Sequence, residues 1–311
     1  MPSVRTFNIL VDTFCKEGML KEAKIIFDKM IQRGIEPDED SYNSLIDGYC
    51  LQNKLNDAIE ALNMMVERGY SPNVVSYNTL INGFCKNKKI DEAMNLFNEM
   101  SNKGVAPSIA TYSTLIGGFC RVGRRKAALE LLHKMQALGQ PPNPQTYAIL
   151  LDGLCKNGQV VKAIKVFLEM EDKTLCNNIV IYSILIDSLC NVGNLKVARE
   201  LFYSLLAKGL QPNVRTYTIM LKGLCKEELI EEASEIFEKM DGSGCSPNDY
   251  TYNTIIQGLL QHNETSKAMK YLEIMVDKGF STNATVASML VDLLSSNQVD
   301  KNIKKLLQKL V

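Results

Sequence analysis

Seven cysteines recur at one interval: Cys15, Cys50, Cys85, Cys120, Cys155, Cys190 and Cys225 are each 35 residues from the next. A fixed period of this length marks a structural repeat, and it constrains the fold more than any other feature of the chain. Equivalent atoms of stacked helical hairpins lie about 9–10 Å apart, the helix-packing distance, whereas a disulfide needs Cα atoms within about 7 Å. The cysteines therefore read as small residues buried between repeats. No CxxC pair offers zinc-ligand spacing, and neither a metal nor a cofactor is expected.

The register runs without insertion or deletion through units 4–38, 39–73, 74–108, 109–143, 144–178, 179–213, 214–248 and 249–283, with a degenerate capping unit over 284–311. Each unit reads as two helices. The first carries an aromatic at its fourth position (Phe7, Tyr42, Tyr77, Tyr112, Tyr147, Tyr182, Tyr217, Tyr252) followed by apolar residues at helical spacing. The second has alanine at the unit's twentieth position throughout, from Ala23 to Ala268, which indicates a close helix crossing. Phe or Leu follows four residues later, and usually Met three beyond that, as in Ala93, Phe97 and Met100; this is a core stripe. A glycine such as Gly34 or Gly104 then stops the helix, and Pro37 or Pro107 prevents its continuation.

One hairpin cannot bury its apolar face alone, while stacked neighbours can. The expected fold is all-α, a right-handed superhelical solenoid of 35-residue helix-turn-helix repeats forming a single domain, with first helices on the concave side. Hydrophobic residues make up 46% of the 311, enough for such a core. No run of about 18 apolar residues exists, so no membrane span is expected. Lys+Arg and Asp+Glu balance at 35 each, and bulk charge points to no anionic partner.

The run Val74-Val75-Ser76-Tyr77-Asn78-Thr79-Leu80-Ile81-Asn82-Gly83-Phe84-Cys85-Lys86, closing at Gly104-Val105-Ala106-Pro107, resembles the pentatricopeptide repeat consensus, and the likeness covers almost the whole chain. Tetratricopeptide repeats, which serve as protein-binding scaffolds, are the alternative, but they run 34 residues with a tryptophan signature, and this chain has no tryptophan. Uninterrupted 35-residue units resemble the P class, and the Gly-Phe-Cys-Lys and Gly-Leu-Cys-Lys phrasing resembles its fertility-restorer-like branch.

The resemblance implies sequence-specific binding of single-stranded RNA in a plant organelle, one base per repeat. It also implies which residues read the base: the fifth, on the first helix, and the last, before the next repeat. These pairs are Asn8 with Asp38, Asn43 with Asn73, Asn78 with Ser108, and Ser113 with Asn143. Ala148 with Asn178, Ser183 with Asn213, Thr218 with Asn248, and Asn253 with Asn283 complete the series. An Asp acceptor suits the ring N–H of uracil or guanine, and an Asn donor suits the ring nitrogen of cytosine or adenine. A short Ser or Thr at the fifth position leaves room for a purine, while Asn suits a pyrimidine. With the N-terminus toward the RNA 5′ end, the expected target is 5′-U-C-(C/U)-A-N-A-A-C-3′. The fifth unit is expected to be silent, because Ala148 has no hydrogen-bonding group and Cys176-Asn177 replaces the usual residue plus proline.

The second position of each repeat is implied to pack on base faces. Val75 and Val180 are the family's apolar wedge, with Arg5, Arg215 and Tyr250 as further stacking residues; Gln145, Ala110 and Asp40 depart from the pattern. Lys16, Lys86, Arg121, Lys156 and Lys226 occupy the thirteenth position, where the family contacts phosphate. The net charge of the eight first-helix segments is only +1, so modest salt dependence is expected.

No enzyme is expected: His133 and His262 lie in different repeats without a Cys/His/Glu cluster, and no small-molecule substrate is implied. Action would come from occupancy or from recruiting a nuclease or other processing factor. Localisation follows from the resemblance alone, with mitochondrion first and chloroplast as the alternative. Residues Met1 to Phe7 carry no secretory or transit segment, and Pro2-Ser3 matches the end of a preceding repeat, so a longer array is expected.

Overall fold

The computed structural model describes residues 2–171 and 178–295. Cys176-Asn177 and residues 296–311 of the capping unit lie outside the described residues. The described residues form an all-α repeat solenoid of 17 helices, divided into two compact units, Met1–Asn157 and Gly158–Val311.

The first unit holds α1 (Val4–Lys16), α2 (Leu20–Gln32), α3 (Glu39–Leu51), α4 (Leu55–Glu67), α5 (Val74–Lys86), α6 (Ile90–Asn102), α7 (Ile109–Arg121), α8 (Arg125–Ala137) and α9 (Pro144–Lys156). The second holds α10 (Val160–Glu171), α11 (Ile179–Asn191), α12 (Leu195–Ala207), α13 (Val214–Lys226), α14 (Ile230–Gly242), α15 (Asp249–Gln261), α16 (Thr265–Asp277) and α17 (Ala284–Ser295). Odd-numbered helices pack on one another in a row within each unit, α1 to α9 and α11 to α17, and each of α1 to α7 and α11 to α15 also packs on the even-numbered helix that follows it.

The sequence stripes supply this packing. Ala58, Ala93 and Ala128 have no exposed surface, which lets the second helix approach its neighbours closely. The fourth-position tyrosine is driven against the preceding repeat's second helix. Ring centroids are 5.3 Å apart in Phe27–Tyr42, 5.4 Å in Phe97–Tyr112 and 5.2 Å in Phe237–Tyr252, all edge to face. Each such pair contributes about 0.5–1.5 kcal/mol beyond its buried area.

Glycine at the tenth position of a first helix meets the cysteine of the repeat before it. A Cβ added to Gly83 would lie 2.5 Å from Cys50 Sγ, and one added to Gly118 would lie 2.6 Å from Cys85 Sγ. Cys50, Cys85, Cys190 and Cys225 are buried and free of disulfides. The period of the cysteines is thus a packing period: a small apolar side chain fills the notch that the missing glycine side chain leaves.

The turn between paired helices passes through a left-handed residue. Gly18 takes it at φ 78°, but Lys88 and Glu228 occupy the equivalent place at 61° and 62°. A side chain there is strained.

Candidate nucleic-acid interface

The last residue of each repeat is the N-cap of the helix that follows. Asp38, Asn73, Ser108, Asn143, Asn213 and Asn248 all stand in extended backbone, and their side-chain oxygens accept from the backbone N–H of the third residue of the next helix. The distance is 2.9 Å for Thr146 N to Asn143 Oδ1 and for Thr251 N to Asn248 Oδ1. Asn283 caps α17 likewise, from Val286 N at 2.9 Å. Asn178 accepts from Val180 N at 2.9 Å. Such a cap satisfies a donor that the helix cannot pair internally.

The fifth residues lie one turn into the same row of helices. Asn8, Asn43 and Asn78 are half-buried, whereas Ser113, Ser183, Thr218 and Asn253 are buried. Ala148 is buried too, with no polar group to offer. Ser113, Ser183 and Thr218 hydroxyls donate back to the carbonyls of Ile109, Ile179 and Val214 at 2.8, 2.9 and 2.7 Å.

In the first, third and eighth repeats the fifth and last residues meet directly. Asn8 Nδ2 donates to Asp38 Oδ1 at 2.9 Å, and Asn78 Nδ2 to Ser108 Oγ at 3.4 Å. Burial pushes the Asp38 carboxyl up, but hydrogen bonds from Asn8 and Ser41 outweigh it and hold the group below the ordinary aspartate range. Asn253 Oδ1 accepts from Asn283 N at 2.7 Å. The second repeat differs: Asn43 Oδ1 is buried without a partner among the described residues, and Asn73 Nδ2 is held by the Glu39 carboxylate at 2.5 Å.

Sequence reasoning passed over the residue that joins these pairs, the buried Ser or Thr at the third position of the following helix. Ser41 Oγ donates to Asn8 Oδ1 at 2.5 Å and Thr111 Oγ1 to Asn78 Oδ1 at 2.6 Å. Thr146, Thr216 and Thr251 hydroxyls lie 2.8, 3.0 and 3.0 Å from those of Ser113, Ser183 and Thr218. The signal was there, as a Ser or Thr three residues after each of these last residues is a capping-box spacing.

Second-position side chains stand out from the row. Val75, Val180 and Tyr250 are 57%, 42% and 58% exposed, large values for residues of this size, and Arg5, Arg215 and Asp40 are exposed as well. In the seventh repeat they frame a groove of about 470 Å³ lined by Arg215, Tyr250, Thr218 and Asn248, together with Lys222 and Asp187. Here the structure brings two stacking candidates and both edge-reading candidates around one opening.

The thirteenth-position cations are exposed, but most are engaged. Lys16 pairs with Asp12 and Lys156 with Asp152, each at 2.7 Å and one helical turn back. Lys226 Nζ donates to the Asn191 carbonyl at 2.9 Å. Lys86 and Arg121 form no ion pair among the described residues. Within those residues no cluster of three or more His, Cys, Asp and Glu side chains is arranged to hold a metal ion, and no helix is long and apolar enough to cross a membrane.

The PPR repeat family model matches residues 2–51, 40–84, 72–121, 107–156, 177–226 and 220–260, and the PPR repeat model matches 145–175 and 250–280. The crystal structure of the pentatricopeptide repeat protein PPR10 from maize is similar at 25% identity and a TM-score of 0.69, over 99% of this chain and 49% of that one. PPR10 in complex with an 18-nt psaJ RNA element is similar at 24% identity and a TM-score of 0.52, over 94% and 46%. The chain therefore spans about half the length of these solved chains. No curated protein sequence matches it. Repeat models that run along most of the sequence, on a solenoid of paired helices, show that the chain belongs to the pentatricopeptide repeat family.

Proposed function

We propose that the chain binds single-stranded RNA sequence-specifically, one base per repeat, with 5′-U-C-(C/U)-A-N-A-A-C-3′ as its preferred octamer. The observation that carries this reading is the groove of the seventh repeat, where Arg215 and Tyr250 offer planar faces beside the polar edge of Thr218 and Asn248. A base slotted there stacks on side-chain planes and presents its Watson–Crick edge to the hydrogen-bonding pair. PPR10 has been solved on this fold in complex with an 18-nt RNA element.

The polarity of the edge groups follows from the caps. Because Asn143, Asn213 and Asn248 spend Oδ1 on a backbone N–H, the amide donor is the group left to meet a base. That donor suits the ring nitrogen of adenine or cytosine. Asp38 has Oδ2 as an acceptor, which suits uracil. With Lys16 and Lys156 already paired, affinity rests on stacking and edge hydrogen bonds more than on phosphate contacts.

In this reading the chain is a P-class, fertility-restorer-like member that acts on organellar transcripts, mitochondrial first. It works by occupying RNA or recruiting a nuclease or other processing factor, without catalysis of its own. A fluorescence titration of the octamer against a shuffled octamer tests the binding. Tighter binding of the ordered sequence supports it; equal affinity for both, with no RNA enriched from a pool, sinks it in favour of a protein-binding scaffold.

A further inference from the structure

We propose that the buried hydroxyl at the third position of a first helix is a specificity-setting positioning group for the repeat before it. The proposal rests on the RNA-reading function above. Ser41, Thr111, Thr146, Thr216 and Thr251 have no exposed side-chain surface, so they touch no ligand themselves. What each does is tie the fifth and last residues of the reading pair together.

The fourth repeat shows the arrangement. Thr146 N donates to Asn143 Oδ1 at 2.9 Å, and Thr146 Oγ1 donates to the same oxygen at 3.0 Å. Two donors from one residue therefore pin the carbonyl end of the amide inward. The amide cannot flip, because its NH₂ end would then face a backbone N–H. With its hydroxyl proton committed to Asn143, Thr146 Oγ1 accepts from Ser113 Oγ at 2.8 Å, and Ser113 shares its single proton between Thr146 and the Ile109 carbonyl, also at 2.8 Å. One hydroxyl thus holds the donor face of Asn143 and the rotamer of Ser113 in a fixed relation.

The geometry recurs in the first, third, sixth and seventh repeats. Thr216 bridges Ser183 and Asn213, with 3.0 Å to each side, and Thr251 bridges Thr218 and Asn248 at 3.0 and 2.9 Å. In the first repeat the Ser41 hydroxyl shares its one proton between Asn8 Oδ1 at 2.5 Å and Asp38 Oδ1 at 2.9 Å. Val286 holds the corresponding place after the eighth repeat; there Asn253 turns to the Ser281 carbonyl and to Asn283 N instead. In the second repeat the Ser76 hydroxyl reaches Asn73 only at 3.4 Å and does not meet Asn43, whose Oδ1 has no partner among the described residues.

The unit that reads a base is therefore not one 35-residue repeat. It is a repeat together with the third residue of the next, and a repeat transplanted without that residue loses part of its selectivity.

The test measures affinity for the octamer with A or G at base four, for wild type, Thr146→Val, Thr146→Ser and Asn143→Asp. Valine keeps the shape and the backbone N–H but removes the hydroxyl. We expect Thr146→Val to lower the A-over-G ratio roughly tenfold, the worth of one hydrogen bond, while selectivity at base six is kept and serine restores base four. A wild-type ratio in Thr146→Val, alongside a shift toward G in Asn143→Asp, overturns the positioning role and leaves RNA reading intact. No shift in Asn143→Asp overturns the reading itself, and the proposal with it. Should Thr146→Val fail to fold, Thr216→Val scored at base six decides in the same way.

Discussion

Gly118 has no room for a side chain because Cys85 of the preceding repeat fills the space: a Cβ there would lie 2.6 Å from the sulfur and 2.8 Å from Ile90 Cδ1. In an ordinary helix interior, alanine in place of glycine stabilises by about 0.8–1 kcal/mol. Here Gly118→Ala should instead cost about 1–3 kcal/mol, the range for overpacking. Urea unfolding of Gly118→Ala, Cys85→Ala and the double variant checks this. The double variant should be more stable than the sum of the singles, since removing the sulfur makes the space that the new methyl needs.

The strained turns predict the opposite sign. Lys88→Gly and Glu228→Gly each relieve a left-handed side chain. Each should raise stability by about 0.5–1 kcal/mol once the extra freedom of glycine in the unfolded chain is deducted. An unchanged or lower urea midpoint in both variants would contradict the turn assignment.

Glu39 should weaken the second repeat. Its carboxylate takes one of the two N–H donors of Asn73 Nδ2 and turns the amide away from the direction a cytosine would need. Glu39→Ala frees that donor and removes a negative charge near the RNA. Affinity for the octamer should rise by roughly threefold to tenfold, about one neutral hydrogen bond, beyond the smaller charge effect shared by targets with another base at position two. A gain shared by every base at that position would mean that only charge had changed.

The buried thiols predict an alkaline limit. Burial pushes Cys85, Cys50 and Cys190 up to about 12, and Cys15, Cys120 and Cys225 up to about 11. A thiol whose folded pKa exceeds its unfolded value of about 8.5 favours folding fully below that value, and the benefit is lost as pH rises toward the folded one. Urea midpoints should hold between pH 7 and 8 and fall from about pH 9 upward. At pH 8 a thiol reagent should leave these six cysteines unlabelled until denaturant is added.

Much of the helical hairpin was legible in the residues. The alanine, aromatic and methionine stripes repeat at helical spacing, and a stripe of that kind has one way to be buried. Positions of the reading candidates also followed from register. Less visible was how they are wired. That Asn143 caps α9 and that Thr146 grips its amide depend on a hydroxyl from the next repeat, across the boundary of the 35-residue period. The pairing of Lys16 and Lys156 had a sign in the sequence, an Asp four residues before each.

By itself the amino-acid order determined the period, the two helices in each repeat, and the surfaces they must bury. These follow from local propensity and from apolar spacing, which act over a few turns of chain. Tertiary structure alone decided that Cys85 and Gly118 share one space, and that Asn8 and Asp38 join through Ser41. Those residues are some thirty positions apart, and a hydrogen bond or a steric contact is set by distances that only the packed helices supply.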